Sequence, residues 1–204
     1  MSLIDVKIPI DEAPIPIDVA VFLREAGRRI DDYLQQGRTP GFVASDYPRV
    51  YQALRSLESA NLMHGKLFCE WGSGFGAVAC LATMLGYDAV GVEIESDLVE
   101  HSRKLADDFD IPARFVHGSY IPKGAEALAD IRGTLAWLVA EKTGTNLGLD
   151  MDDFDLIFAC PWPDERGVTE RLFERYAGDH TLLMTHHIDG PIRVRRNRPA
   201  KGRR

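Results

Sequence analysis

Cysteine is scarce in this chain: Cys69, Cys80 and Cys160 are the only three in 204 residues, with no CxxC or Cys/His spacing. An odd, unpatterned set excludes a disulfide framework and a zinc knuckle, and reduced, buried thiols are expected. Long apolar runs are missing too, since no stretch approaches the roughly 20 residues that a bilayer span needs. The first residues, MSLIDVKIPIDEAP, hold acids and prolines where a secretory leader has basic residues and an apolar core. A soluble, cytoplasmic protein with no membrane partner is expected. The acidic stretch LDMDDFD invites a calcium reading, but a loop begun at Asp150 has Asp155 at its sixth position and Pro161 at its twelfth, where glycine and glutamate belong. No metal is expected.

Positive charge is lacking over most of the chain. The formal net charge is -7, yet Arg193, Arg195, Arg196, Arg198, Lys201, Arg203 and Arg204 crowd the last twelve residues and leave -14 on the rest. Such a body repels a nucleic-acid backbone, so a polyanion could be engaged only by the basic end. Residues 193–204 are expected to form a disordered, solvated tail.

The length and the 45% hydrophobic content suit one domain with a substantial core. In IDVAVFLREAGRRIDDYLQQ, residues 17–36, Val19, Phe22, Leu23, Ala26, Ile30, Tyr33 and Leu34 recur at helical spacing, with Gly37 just beyond. Ser45 or Asp46 can cap a second helix with Pro48 in its first turn. From Lys66 the rhythm changes to strand-length and helix-length segments in alternation: KLFCEW, AVGVEI, ARFVHG, DLIFAC and TLLMTHHI are the strands. Strands separated by helices imply parallel pairing and a sheet covered on both faces. The expected organisation is an N-terminal helical extension over 1–60, a core domain over 61–192 with a further helix near 127–142, and the tail.

FCEWGSGFG, residues 68–76, places three glycines in five positions behind the first strand. Such a turn brings backbone N–H groups and a helix N-terminus to a ligand with no Cβ in the way. Gly72, Gly74 and Ala77 also satisfy the dinucleotide pattern, with Glu93 as the ribose acid. Glu70 separates the readings, because a carboxylate beside the loop repels a pyrophosphate and suits a ligand bearing an ammonium and a sulfonium.

These residues resemble the class I S-adenosylmethionine-dependent methyltransferases, whose first motif, an acid, any residue, then GxGxG, stands here as Glu70-Trp71-Gly72-Ser73-Gly74-Phe75-Gly76. The resemblance implies a doubly wound, mainly parallel Rossmann-like α/β sheet, here with two N-terminal helices and an abbreviated C-terminal hairpin. It implies S-adenosyl-L-methionine as cofactor, with Gly72, Gly74 and Gly76 along its methionine and ribose, Glu70 at its amino end and Glu93 on the ribose hydroxyls. Many members carry an acid after the third strand for the adenine amino group; here His117-Gly118-Ser119 stands there, leaving Ser119 or a backbone group. Nucleobase-amine enzymes carry Asp, Asn or Ser before Pro-Pro and an aromatic after the fourth strand, where this chain reads Ala159-Cys160-Pro161-Trp162. A protein side chain or a small molecule is therefore the expected acceptor, and GFVASDYPRVYQAL resembles a lead-in segment of small protein-lysine enzymes. Pro161 and Trp162 would shape the acceptor pocket, with Asp164 or Glu165 as base or amine partner and at most one of His186 and His187 as a base. The alternatives are an NAD(P)-type oxidoreductase and a cofactor-binding module without catalysis.

Overall fold

In the computed structural model, residues 3–10, 13–37, 44–125, 128, 149–187 and 190–198 are described, and the strand-length runs of the sequence become one seven-stranded sheet. The elements are β1 (Leu3–Asp5), α1 (Ile17–Gln35), α2 (Tyr47–Ser59), β2 (Leu67–Trp71), α3 (Ala77–Met84), β3 (Asp88–Glu93), α4 (Ser96–Asp108), β4 (Arg114–His117), β5 (Leu156–Ala159), α5 (Arg166–Tyr176), β6 (Leu182–Thr185) and β7 (Arg193–Asn197). The helix expected over 127–142 lies outside the described residues except for Leu128.

The sheet order is β1-β7-β6-β5-β2-β3-β4. β2 to β6 run parallel, and β7 returns antiparallel between β6 and β1. The chain leaves β2 toward β4 and then comes back to β5 on the other side of β2. A crevice therefore opens between β2 and β5 at the carboxyl ends of the strands, where such sheets receive ligands.

Both faces are covered, as the unbroken apolar strands require. One face packs α1 to α4, with Phe22, Leu54, Leu57, Phe68, Leu81 and Phe158 at its centre, and the other packs Leu172 and Phe173 of α5 against Trp71, Ile157 and Leu183. Helix α3, AVACLATM, is apolar all round and buried from Ala77 to Ala82, so its small residues let it lie close on the sheet. Asp46 caps α2 by accepting the Arg49 N–H at 3.2 Å. Among the described residues no helix is long and apolar enough to cross a membrane.

Two expectations fail at one edge of the sheet. Residues 193–197 are not disordered tail but strand β7, with Val194 and Asn197 buried and Arg195 paired to Glu170 at 2.7 Å. A charge count cannot see that a guanidinium with a carboxylate partner is tolerated in a sheet. The N-terminal segment is likewise more than a helical extension. Among the described residues one strand follows β6, and the hairpin's place is completed from the far end of the chain, where β1 sets Leu3, Ile4 and Asp5 opposite Asn197, Arg196 and Arg195.

Candidate functional site

The turn after β2 is closed by its own backbone: the Gly72 and Ser73 N–H groups donate to the Val92 carbonyl at 2.9 and 3.0 Å, and Gly76 N–H to the Ser73 carbonyl at 2.7 Å. Gly72, Gly74 and Gly76 have φ of 68°, 52° and 70°, a region that L side chains enter at a cost. Their surroundings differ. A Cβ on Gly72 would point into open space, so this glycine faces the crevice, whereas one on Gly76 would overlap the Phe115 ring and lie 2.8 Å from Ser102 Cβ. The missing side chain of Gly76 therefore serves the packing of α3 against β4 and α4. Phe75, between them, is buried beneath α1, 5.1 Å from the Tyr33 ring and 4.9 Å from that of His101. Helices α1 and α4 thus hold the turn from outside.

Two carboxylates converge on this turn. At the end of β3, buried Glu93 accepts the Gly74 N–H through Oε2 at 2.8 Å, and the Ile94 and Glu95 N–H groups through Oε1 at 2.8 and 3.0 Å. Oε2 keeps acceptor capacity for a further donor. Glu70 accepts the Ala79 N–H, in the first turn of α3, at 2.8 Å, which ties β2 to the helix N-terminus. Burial pushes both carboxyls above the usual range; the Ala79 N–H opposes this at Glu70 and nearby Glu93 adds to it, while three backbone N–H groups oppose it at Glu93.

Ser119 follows β4 and is buried, its Oγ accepting the Ile121 N–H at 3.1 Å. It lines a cavity of about 290 Å³ with Trp71, Val92, Tyr120, Lys123 and Met151. Trp71 and Tyr120 stack there with ring centroids 5.1 Å apart and planes at 4°.

Across the crevice, β5 ends in Cys160 and buried Pro161, and Trp162 is 38% exposed, so it is no core residue. The Trp162 N–H donates to Glu165 Oε2 at 3.1 Å and the Glu165 N–H to the Trp162 carbonyl at 2.9 Å. Glu165 is thus turned back on its own loop, its carboxyl raised by burial, and Asp164 is the exposed acid of the turn.

Motif reading missed the residues beside Cys160. Its Sγ lies 3.9 Å from His186 Nδ1, and its thiol is raised by burial, against a hydrogen bond with the Ser45 side chain. The Tyr47 hydroxyl is raised by burial and by the charges of Glu70 and Cys160. The start of α2 therefore leans on the crevice, and the one signal of this was the GFVASDYPRVYQAL lead-in. His186 meets Cys160, whereas His187 has Nε2 3.5 Å from Thr185 Oγ1, and burial lowers both imidazoles. The acids of the LDMDDFD stretch hold backbone: Asp153 Oδ2 accepts the Asp150 N–H at 2.8 Å and Asp155 Oδ2 the Leu67 N–H at 2.9 Å.

No family model and no curated protein matches the chain. Solved structures do. An RNA methyltransferase from Salinibacter ruber, crystallised with S-adenosyl-L-homocysteine, superposes with a TM-score of 0.51 at 17% identity over 78% of this chain and 95% of its own. An O-methyltransferase from Bacillus cereus, also in complex with S-adenosyl-L-homocysteine, gives a TM-score of 0.51 at 12% identity over 85% of this chain and 67% of its own. The chain has the class I S-adenosylmethionine-dependent methyltransferase fold.

Proposed function

We propose that the protein transfers a methyl group from S-adenosyl-L-methionine to a protein side chain or a small molecule. The observation that carries this reading is the pair of buried carboxylates, Glu70 and Glu93, each fixed by backbone N–H groups beside a glycine turn whose Gly72 is open to the crevice. A carboxylate at Glu70 disfavours a pyrophosphate, and so an NAD(P)-type oxidoreductase, and favours a ligand with an ammonium group, while Glu93 suits ribose hydroxyls in either reading.

When bound, the cofactor supplies an electrophilic methyl group. Gly72 and Gly74 would let the backbone close on it, Glu93 would accept from the ribose hydroxyls, Glu70 would give the amino end a negative neighbour, and the Ser119 hydroxyl would be available to the adenine. Charge disappears as a methyl leaves a sulfonium, so the chain has no developing anion to stabilise. Its contribution is alignment, worth roughly 7–11 kcal/mol where geometry is held well. Pro161 and Trp162 give the acceptor side a rigid turn and an exposed aromatic face, with Asp164 the acid placed to meet an amine or take its proton.

The stretch Ala159-Cys160-Pro161-Trp162 offers no side-chain amide or acid to a nucleobase amine. Three of the seven terminal cations, Arg193, Arg195 and Arg196, lie in β7 rather than in a free tail, which further weakens a nucleic-acid acceptor. Melting temperature with S-adenosylhomocysteine and with NAD in parallel tests the reading. A ligand at a hundred times its dissociation constant adds about 2.7 kcal/mol to the native state. A shift with NAD alone would reject it, and a shift with S-adenosylhomocysteine but no methylated product from cell extract would leave a binding module.

A further inference from the structure

On the α5 face of the sheet, a polar ladder runs between β7 and the helix, and methyl transfer as read above makes no use of it. The register sets Arg195 opposite Leu183 and Arg193 opposite Thr185. Leu183 packs with Val168, Leu172 and Phe173 of α5, so Arg193, Arg195 and Asn197, alternating along β7, face that helix. α5 answers with Arg166, Glu170 and Glu174, one turn apart on one stripe. The middle rung is the Arg195–Glu170 pair at 2.7 Å, and at the lower end Glu174 Oε1 accepts the Leu3 N–H at 3.2 Å. The upper rung is mismatched, because Arg166 and Arg193 are both cations.

His187 completes that rung. It lies two residues beyond Thr185 on the same side, is 6% exposed, and has Nε2 3.5 Å from Thr185 Oγ1. Its Nδ1 is buried with no hydrogen-bond partner among the described residues, and so is Arg195 Nε. A buried ring nitrogen without a partner, set among guanidiniums at the first residue of an 11-residue helix, has the makings of an anion site. Burial above all, then Arg166, Arg195, Arg193 and His186, hold the imidazole down to about 4. Glu170 is taken by Arg195, and Glu165 by the Trp162 N–H.

We propose that Arg166, Arg193 and His187 form a binding site for an oxyanion, a phosphate or carboxylate carried by the methyl acceptor. The site opens at the same end of the sheet as the Pro161 and Trp162 turn that leads into α5. Its assignment to the acceptor rests on the methyl-transfer reading; the binding of an anion does not.

Inorganic phosphate and acetate, titrated separately into the full-length protein at constant ionic strength, test it by the His187 imidazole resonances and the melting temperature. His187→Asn identifies the resonances. Phosphate or acetate should bind with a dissociation constant in the low millimolar range, about -4 kcal/mol, and raise the His187 pKa; whichever anion binds more tightly names the group. Arg166→Gln and Arg193→Gln should each weaken binding about tenfold with S-adenosylhomocysteine affinity unchanged. Equal binding by the double variant, or a His187 pKa indifferent to both anions, would overturn the site. Anion binding retained in a protein that ignores S-adenosylhomocysteine would uphold the site and reject the methyltransferase reading.

Discussion

At the scale of single residues, Glu70 and Glu93 are carboxyls whose pKa burial has raised from 4.5. Between that value and the raised one the folded chain keeps protons the unfolded chain has lost, so their contribution to stability is present at low pH and is lost as pH rises through the raised values. A ligand bearing an ammonium group favours the ionised forms. Binding of S-adenosylhomocysteine should therefore release protons in mildly acidic buffer and tighten as pH rises, and Glu70→Gln should reduce both effects. Calorimetry in buffers of different ionisation heat reads this directly, and proton uptake in its place would contradict the placement of Glu70. Glu93→Ala should cost roughly 1.5–3 kcal/mol of binding. Because Glu93 also satisfies three backbone N–H groups, stability should fall by about 1–3 kcal/mol as well. His187 works in the opposite sense. Held down from 6.5 to about 4 by burial, Arg166, Arg195 and Arg193, it stays neutral in the fold where the unfolded chain takes up a proton. Its contribution is whole above 6.5 and lost as pH falls toward 4, so urea unfolding of His187→Asn should depend less on pH over that window than wild type.

At the scale of elements, the glycine turn shows what a motif can and cannot tell. The string Glu70 to Gly76 marked the turn, the helix after it and the acid before it, all of which stand as read. It could not say which glycine has open space beside it and which is packed against the protein, because Phe115 and Ser102 come from β4 and α4, distant in sequence. The two roles separate by substitution. Gly76→Ala combines a left-handed φ with overlap on the Phe115 ring and should cost more than about 2 kcal/mol of stability. Gly72→Ala carries only the conformational cost, about 1 kcal/mol, and should fall mainly on S-adenosylhomocysteine affinity. Thermal unfolding and ligand titration of the pair decide it, and equal losses of stability would erase the distinction. The contact of Cys160 with His186 was illegible for the same reason: nothing local to either residue announces a partner on a neighbouring strand end.

For the whole molecule, alternation of strands and helices was enough to read β2 to β6, since β5 and β6 are buried throughout, β2 and β3 nearly so, and β4 keeps Phe115 in the core. The far edge was not legible. β7 is RVRRN, whose arginines dominate any composition count, and β1 is three residues long; neither has a pattern of its own, and β7 is a strand because β6 and β1 flank it, β1 because β7 pairs with it. Pairing across nearly the full length of the chain leaves no local signal, and it makes the two ends depend on each other. The described pairing of the sheet ends at Asn197, so deleting residues 199–204 should leave the melting temperature and S-adenosylhomocysteine affinity unchanged. Truncation after Ile192 removes β7, exposes the edge of β6, strips β1 of its partner and leaves Glu170 without Arg195. An open apolar edge of that kind invites association. The loss should be comparable to the roughly 5–15 kcal/mol by which a domain is stable at all. Deleting residues 1–10 should fall between, since β7 keeps its pairing with β6. Thermal unfolding with size-exclusion chromatography orders the three, and a truncation after Ile192 that stayed monomeric with the wild-type melting temperature would show that β7 is not needed to close the sheet.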